Sequence, residues 1–227
     1  PLIAKWYADD GITKPIHVYE HGVDTVWKPK ARKVDDKIRF LHVGAEAVRK
    51  GGSQVMAAFR KAFPNRNDVS LTMKMTNRGW NIPNIGRVSI VNKKVNIRQL
   101  VQLYHYNHIF VYPSMGEGFG LTPLQALATG MPTITVPDWA PYARFLDPSL
   151  SLPARLGPSP FTDRELHPGE MFHIDTDDVV DRMRYAADNY ETLHARALSQ
   201  TAQIFKEYDW DSLTKNAFDE LGHRLEK

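Results

Sequence analysis

Cysteine is absent from the 227 residues of this chain. Its absence excludes disulfides, thiolate nucleophiles, iron–sulfur clusters and cysteine-ligated zinc sites. Long hydrophobic runs are also absent, and no stretch reaches the ~18 apolar residues that a membrane-spanning helix needs. The first residues lack the charged, apolar and cleavage regions of a signal peptide. We therefore expect a cytoplasmic protein without a transmembrane segment.

Acidic residues are scarce in the middle of the chain. Residues 51–110 contain nine Lys or Arg and one Asp or Glu, whereas residues 138–227 contain ten and 17. Residues 111–137 hold a single charged side chain, Glu117. A basic region suits an anionic ligand or a nucleic-acid surface, although an ordinary solvated face gives the same pattern.

Short apolar runs alternate with helical patterns along most of the chain. The main runs predict strands at 38–43, 69–75, 87–91, 108–113 and 132–137. Helical spacing falls between them, at 51–63, 97–104 and 122–129. Apolar strands separated by helices are typical of a parallel sheet covered on both faces, so we predict an α/β fold with a doubly wound sheet. Shorter strands are expected at 16–19 and 171–174, and helices from Asp177 onward with a break near 208–211.

The loop after the predicted strand 108–113 is the first candidate site, because doubly wound sheets bind ligands at the carboxyl ends of their strands. It reads SMGEGFGLTPLQALATG from Ser114 to Gly130, and its alternating glycines let the backbone approach a ligand closely. Thr122 is the expected N-cap of the next helix, with Pro123 at its first position. A helix N-terminus binds phosphate through its free N–H groups. The glycine spacing matches neither the dinucleotide fingerprint nor a Walker loop.

Two side chains of this loop have a structural and a functional interpretation. Glu117 is either an exposed turn residue or a ligand of sugar hydroxyls, since a carboxylate is poorly placed beside a phosphate. Gln125 follows Thr122 at the spacing of a capping box, and a ligand-binding role is the alternative.

The loop after strand 38–43 is the second candidate. It reads VGAEAVRKGG, and Arg49 and Lys50 precede a helix that begins near Gly51. Paired cations at the carboxyl edge of a sheet suit a diphosphate, although a solvated surface pair is the alternative.

Four segments carry a resemblance to a known family, and they read VYEHGVDTVWKP, FLHVGAEAVRKGGSQVMAAFRKAF, FVYPSMGEGFGLTPLQALATGMPTI and YDWDSL. The third resembles the most specific signature of the family, a Glu-x7-Glu motif around Gly-Phe-Gly. The family is the retaining glycosyltransferases of the GT-B fold, in group 1 or family 4. Every match falls in the C-terminal half of such enzymes, the Rossmann-like domain that binds a nucleotide sugar.

The resemblance implies a role for each residue of the two loops. Glu117, Lys50 and Arg49 become the catalytic residues: the two cations hold the donor diphosphate and Glu117 contacts the sugar hydroxyls. Gln125 takes the position of the second Glu of the family, which binds the ribose diol. The other donor-binding positions that the resemblance implies are Gly44, Gly118, Phe119, Gly120, Leu121 and Thr122. Residues 74–80 and 91–95 are expected to line the base pocket, where Trp80 either stacks on the base or only packs.

Two positions depart from the family pattern. Ala45 stands where an Arg usually follows the first glycine, so one cation for the diphosphate is missing. Gln125 replaces a Glu and binds a diol more weakly than a carboxylate does. Both changes concern catalytic strength and leave the predicted fold unaffected.

The implied reaction is transfer of a hexose from a UDP- or GDP-sugar to an unidentified acceptor, with retention of configuration. The departing phosphate meets Arg49, Lys50 and a helix N-terminus, so neither a metal nor another cofactor is expected. His105 and His108 are not expected to bind a metal.

The resemblance also implies a division of the chain. Residues 1–14 become the end of an interdomain helix or linker, because LIAKWYADDG reads as the end of a helix closed by Gly11. Residues 15–207 become the donor-binding domain and residues 208–227 a closing helix. The partner that we expect to be missing is an N-terminal acceptor domain, without which the isolated chain binds donor but transfers little.

Three other functions remain open. The first is a nucleotide- or partner-binding module that has lost catalysis, which Ala45 and Gln125 favour. The basic block 51–110 allows a nucleic-acid-binding domain, although no recognition motif is present, and nucleic acid is expected at most as an acceptor. A sugar-nucleotide epimerase of the same fold would share the diphosphate site.

Overall fold

Five parallel strands form the central sheet of the protein. The computed structural model describes residues 2–45, 48–76, 86–161 and 169–225. The strands are β1 (Ile38–Val43), β2 (Val69–Lys74), β3 (Val88–Val91), β4 (Ile109–Tyr112) and β5 (Thr133–Thr135). Their order is β3-β2-β1-β4-β5, and every neighbouring pair is parallel. The predicted α/β fold with a parallel sheet is confirmed.

The strand order reverses between β1 and β4. The chain runs outward from β1 through β2 to β3, and then returns to place β4 on the other side of β1. Such a reversal leaves a crevice at the carboxyl ends of the two central strands, because their following loops turn in opposite directions. The loops after Val43 and Tyr112, which the sequence singled out, are the two that flank this crevice.

The helices agree with the predicted pattern, with more breaks near the end. They are α1 (Leu2–Asp9), α2 (Gly52–Ala62), α3 (Ile97–Tyr106), α4 (Leu121–Ala128), α5 (Thr176–Asp188), α6 (Tyr190–Ser199), α7 (Thr201–Glu207) and α8 (Trp210–Leu225). The predicted break near 208–211 separates α7 from α8, while the breaks at Asn189 and Gln200 were not predicted. None of the helices in the described part of the chain is long and apolar enough to cross a bilayer.

The core lies between the sheet and the helices that cover it. Strand β4 is buried along its whole length, as expected for a central strand with both faces covered. Phe40 of β1 contacts the rings of Phe59 and Phe63, which α2 supplies from its buried side. Helix α2, which connects β1 to β2, also packs against α5. A helix from the last third of the chain therefore lies beside the first helix that covers the sheet.

Of the two shorter predicted strands, 171–174 is confirmed and 16–19 is wrong. Residues 16–19 pair with no described strand, although Val23 forms an isolated bridge to Asp209. Residues 171–174 belong to an antiparallel hairpin outside the main sheet, in which β7 (Glu170–Ile174) pairs with β6 (Ala154–Pro158). The sequence pattern missed β6 because its residues are mostly exposed and carry no apolar alternation.

Gly51 makes the closest approach between the two loops of the crevice. Its φ of 76° lies in the left-handed region, and a Cβ added there would lie 2.5 Å from the carbonyl oxygen of Pro113. Gly169 has nearly the same φ, 77°, but no heavy atom within 4 Å of such a Cβ. The two glycines therefore differ in steric contact and share the same backbone requirement.

We expect Gly51→Ala to lower the free energy of unfolding by about 2–4 kcal/mol, since left-handed strain and a backbone clash add together. Gly169→Ala should cost only the strain, about 1–2 kcal/mol. Urea unfolding of both variants measures the difference. Equal losses would contradict the tight contact between the two loops.

Candidate functional site

The loops after β1 and β4 are joined by their backbones. The N–H of Met115 donates to the carbonyl of Arg49 at 2.8 Å, next to the contact of Gly51 with Pro113. The Trp139 indole donates to the carbonyl of Ser114 at 3.1 Å. These contacts fix the second loop against the first, so their side chains meet above the ends of β1 and β4.

The carboxylate of Glu117 lies at the centre of this meeting point. Lys50 Nζ lies 3.0 Å from Oε1 and 3.3 Å from Oε2, and an Arg49 guanidinium nitrogen lies 3.5 Å from Oε1. The hydroxyls of Tyr112 and Ser114 each donate to Oε1 at 2.8 Å. The Glu117 side chain is only 12% exposed, so it is not a free turn residue.

The cluster brings cationic and anionic side chains into contact. Two cations, Arg49 and Lys50, face one carboxylate. Arg49 also donates to the carbonyl of Gly116 at 2.8 Å, and Lys50 donates to the hydroxyl of Tyr112 at 3.0 Å. Partly buried cations beside a crevice are suited to contacts with anionic oxygens.

Tyr112 stays protonated and acts as a hydrogen-bond donor to Glu117. Burial of the phenol, followed by the negative charge of Glu117, raises the pKa of Tyr112 far above its ordinary value. Its hydroxyl accepts from Lys50 and donates to Glu117, so it connects the two charged groups.

Residues of the cluster line several cavities, and two of them contain its cations. The first, about 400 Å³, is called here the lysine-lined cavity. Its lining residues are Val43, Gly44, Ala45, Lys50, Lys74, Thr76, Lys94, Val95, Leu100, Tyr112 and Thr122. The second, about 610 Å³, is called the hairpin-side cavity, because the β6–β7 hairpin and α1 contribute to its lining. Arg49, Glu117 and Trp139 are among the other residues that line it.

The structure therefore places Arg49 and Lys50 differently from one another. Both approach Glu117, but Lys50 lines the lysine-lined cavity and Arg49 lines the hairpin-side cavity. Four residues of the predicted base pocket line the first cavity: Lys74, Thr76, Lys94 and Val95. Trp80 lies outside the described residues.

The prediction for the start of α4 is wrong. Leu121 is the first residue of the helix and Gly120 is its N-cap, with a φ of 81° and no side-chain cap. Thr122 and Pro123 are therefore the second and third residues, and no Thr122–Gln125 capping box forms. The chain turns early because Gly120 packs closely against Trp139 and Tyr142, either of which would lie 2.5 Å from an added Cβ.

This early turn leaves backbone donors at the crevice. Among the described residues, none accepts a hydrogen bond from the N–H groups of Phe119, Gly120, Leu121 or Thr122. Phe119 itself is half-buried and contacts the ring of Tyr142. Free N–H groups at a helix N-terminus are suited to anionic oxygens.

Gln125 occupies the first turns of α4 and is half-buried. Its side chain makes no hydrogen bond to the part of the chain that the structure describes, and it is not among the residues that line the lysine-lined cavity. The capping interpretation is thus removed, and its binding role stays a prediction.

Sequence reasoning missed Tyr112, Ser114 and Trp139. Tyr112 and Ser114 flank the end of β4, which is the position from which side chains reach a crevice of this kind. That position was the available signal, but a Tyr in an apolar run reads first as a core residue. Trp139 and the hairpin residue Met171, which also lines the hairpin-side cavity, carried no sequence signal.

His105 and His108 both contact backbone groups. His105 Nε2 lies 3.0 Å from the carbonyl of Lys28, and His108 Nδ1 accepts from the N–H of Arg39 at 2.9 Å. The described residues contain no group of three or more His, Asp or Glu side chains arranged to hold a metal.

His42 lies beneath the site, fully buried and stacked on the ring of Tyr112. Its Nδ1 lies 2.9 Å from the carbonyl of Val111, so Nδ1 carries the proton of the neutral ring and Nε2 is unprotonated. Burial, with a smaller contribution from the charge of Lys50, lowers the pKa of His42 to about 4.

Comparisons with known proteins give the class of the fold first. The C-terminal domain of a glycosyl transferase group 1 family protein, LpcC from Francisella tularensis, matches with a TM-score of 0.61 and 14% identity. The match covers 82% of this chain and 97% of that domain. The pneumococcal O-GlcNAc transferase GtfA, solved with UDP and GlcNAc, matches with a TM-score of 0.63 and 15% identity, over 100% of this chain and 43% of that one. At these identities the likeness shows the fold, which is the Rossmann-like fold of GT-B glycosyltransferases.

The sequence comparisons match part of the chain to the same class of proteins. The profile described as Glycosyl transferases group 1 matches residues 84–144, which include Glu117 and α4. The serotype-specific mannosyltransferase WbdA of Escherichia coli is 28% identical over 105 residues, covering 42% of this chain and 13% of WbdA. The matched part of the chain thus spans about one eighth of the length of this curated relative. The resemblance to the C-terminal domain of a group 1 glycosyltransferase is confirmed.

We expect Tyr112→Phe to lower the free energy of unfolding by about 1–3 kcal/mol, because a partly buried hydroxyl bonded to charged groups is lost. Tyr106→Phe is the matched control, since Tyr106 is 62% exposed. The free energy of unfolding of Tyr106→Phe should stay within ~0.5 kcal/mol of that of the wild type. Chemical denaturation measures both, and a Tyr112→Phe variant as stable as the control would contradict the role of the hydroxyl.

The free energy of unfolding is expected to decrease as the pH is lowered below about 6.5, because the unfolded chain then protonates His42 and the folded protein does not. The loss proceeds as the pH approaches 4, the pKa in the folded state, and His42 accounts for roughly 3 kcal/mol of it. His108, whose pKa burial also lowers to about 4, acts in the same direction. Urea unfolding at several pH values gives the slope. His42→Gln should flatten it, and a wild-type stability unchanged between pH 6.5 and 4.5 would contradict the assignment.

Proposed function

We propose that this chain is the nucleotide-sugar-binding part of a retaining, metal-independent glycosyltransferase that takes a hexose from a UDP- or GDP-sugar. The observation that carries the proposal is the pairing of Glu117 with Lys50 and Arg49 at the strand reversal, beside a cavity lined by lysines. The group 1 profile match over this loop supports it. The solved GtfA complex holds UDP and GlcNAc, which supports a nucleotide-linked donor.

The proposed chemistry follows from where charge develops. Transfer breaks the bond between the anomeric carbon and the phosphate oxygen, so negative charge grows on the departing diphosphate. Lys50 and Thr122 line the lysine-lined cavity, and Arg49 lines the hairpin-side cavity. The free N–H groups of 119–122 lie at the start of α4. Fixed donors of this kind stabilise a developing anion without reorganising.

Glu117 is proposed to exchange partners when the donor binds. In the structure, its carboxylate pairs with the ammonium of Lys50. A diphosphate attracts the same ammonium, and Glu117 then becomes an acceptor for sugar hydroxyls. Tyr112 and Ser114 hold the carboxylate in place through this exchange, since they bond to it independently of Lys50.

The acceptor is proposed to bind mainly to another domain. The chain matches nearly the whole of a C-terminal domain in LpcC. On this proposal, residues 1–14 lead in from the other domain, residues 15–207 bind the donor and residues 208–227 close the structure. The isolated chain then binds donor and transfers little, and measurable transfer to an acceptor by these 227 residues would refute that part.

A non-catalytic binding module is the second candidate. The departures at Ala45 and Gln125 favour it, because the first removes a cation and the second weakens the contact with a ribose diol. Such a module keeps nucleotide binding but shows no turnover even when joined to an acceptor domain.

We expect a thermal-shift panel of UDP, GDP, ADP and their sugar conjugates to select one base. Ligand at about 100 times its dissociation constant adds roughly 2.7 kcal/mol, a rise of roughly 5–11 °C for a domain of this size. Lys50→Ala should abolish most of the rise, measured from its own unliganded melting temperature. Glu117→Gln should reduce the rise for the sugar conjugate more than for the free nucleotide.

Lys61→Ala is the control for these variants. Lys61 lies on the exposed side of α2, where it pairs with Asp177 at 2.5 Å, away from both cavities. The rise in melting temperature on adding nucleotide should be the same for Lys61→Ala as for the wild type. No rise with any nucleotide would contradict donor binding, and equal rises in Lys50→Ala and the wild type would contradict the assigned site.

A further inference from the structure

Lys74 is a buried cation that the proposed reaction does not yet use. It is the last residue of β2, pairs in register with Val43 of β1, and is 5% exposed. Its ammonium donates to the carbonyl of Met75 at 3.2 Å. Among the described residues, no carboxylate lies within ion-pair distance of it. The sequence from 77 to 85, which follows this strand, contains no acidic residue.

An ammonium buried without a counter-charge is costly, because it loses hydration and gains no Coulomb attraction. The same loss of hydration lowers the pKa of Lys74. A buried cation that lines an open cavity indicates a site completed by an anion. Lys74 lines the lysine-lined cavity together with Lys50 and Lys94.

Gly44 lies next to both Lys74 and Lys50. The N–H of Gly44 donates to the carbonyl of Lys74 at 3.0 Å. A Cβ added to Gly44 would lie 3.2 Å from Cβ of Lys50. The two lysines therefore flank one glycine at the end of β1, and Ala45, where a cation is missing from the pattern, lines the same cavity.

We propose that Lys74 is a ligand of the donor diphosphate and supplies, from the neighbouring strand, the positive charge that Ala45 lacks. This inference rests on the proposed function. It assigns Lys74 to the phosphates, although the sequence expectation placed residues 74–80 around the base.

The test is isothermal titration of the wild type and of Lys74→Met with three probes. The probes are the nucleoside diphosphate selected by the thermal-shift panel, the nucleoside without phosphates, and inorganic pyrophosphate. We expect Lys74→Met to weaken the diphosphate and pyrophosphate by about tenfold to 100-fold, as for loss of one charged hydrogen bond. Affinity for the nucleoside should not change.

A second variant separates charge from packing. Ala45→Arg added to Lys74→Met restores a cation to the same cavity, and we expect it to recover most of the lost affinity for pyrophosphate. Lys93→Met is the matched control, because Lys93 is exposed and does not line the cavity. Its affinities should equal those of the wild type.

Each remaining outcome contradicts a different statement. Unchanged affinity for pyrophosphate in Lys74→Met, with the wild type binding normally, overturns the role of Lys74 and leaves the proposed function intact. An equal loss of affinity for the nucleoside overturns it in favour of a base contact. A wild type that binds no nucleoside diphosphate contradicts the proposed function, and the role of Lys74 with it.

Discussion

The pairing of the Glu117 carboxylate with Lys50 organises the site. The two residues come from loops that follow different strands, 67 residues apart in the chain. They meet because the strand order reverses between β1 and β4 and because Gly51 lets the first loop touch Pro113. The hydroxyl of Tyr112 bonds to both charges, so the pair is anchored to the end of a buried strand.

Part of the charge asymmetry of the chain is neutralised by ion pairs within the fold. Helix α2 and its following turn supply Lys61 and Arg66, which pair with Asp177 and Asp188 of α5 at 2.5 and 2.6 Å. Exposed pairs of this kind add little stability, but they neutralise the basic block against the acidic end of the chain. Of the lysines that line the lysine-lined cavity, Lys50 pairs with Glu117, while Lys74 and Lys94 have no carboxylate partner among the described residues. This distribution suits a small anionic ligand better than an extended nucleic-acid surface.

The sequence predicted the strands of the central sheet well, but it misplaced a strand outside the sheet and the start of α4. The five parallel strands lie close to their expected bounds, because a buried parallel strand is a nearly continuous apolar run. Residues 16–19 have the same composition without a partner strand, so the pattern alone could not exclude them. The start of α4 was misplaced because Gly120 turns the chain under Trp139 and Tyr142, residues about 20 positions later.

The sequence by itself determined the features that depend on local chemistry. These are the apolar strands of the sheet, the glycine loop, the start of α2 near Gly51, and the candidate charged residues Arg49, Lys50 and Glu117. The tertiary structure alone decided which of these charges meet and which cavity each one lines. It also brought Lys74 to the same cavity from a neighbouring strand, a position that no motif marks. The physical reason is that pairing and burial depend on contacts between residues far apart in the chain, whereas a sequence pattern reports only the requirements of neighbouring residues.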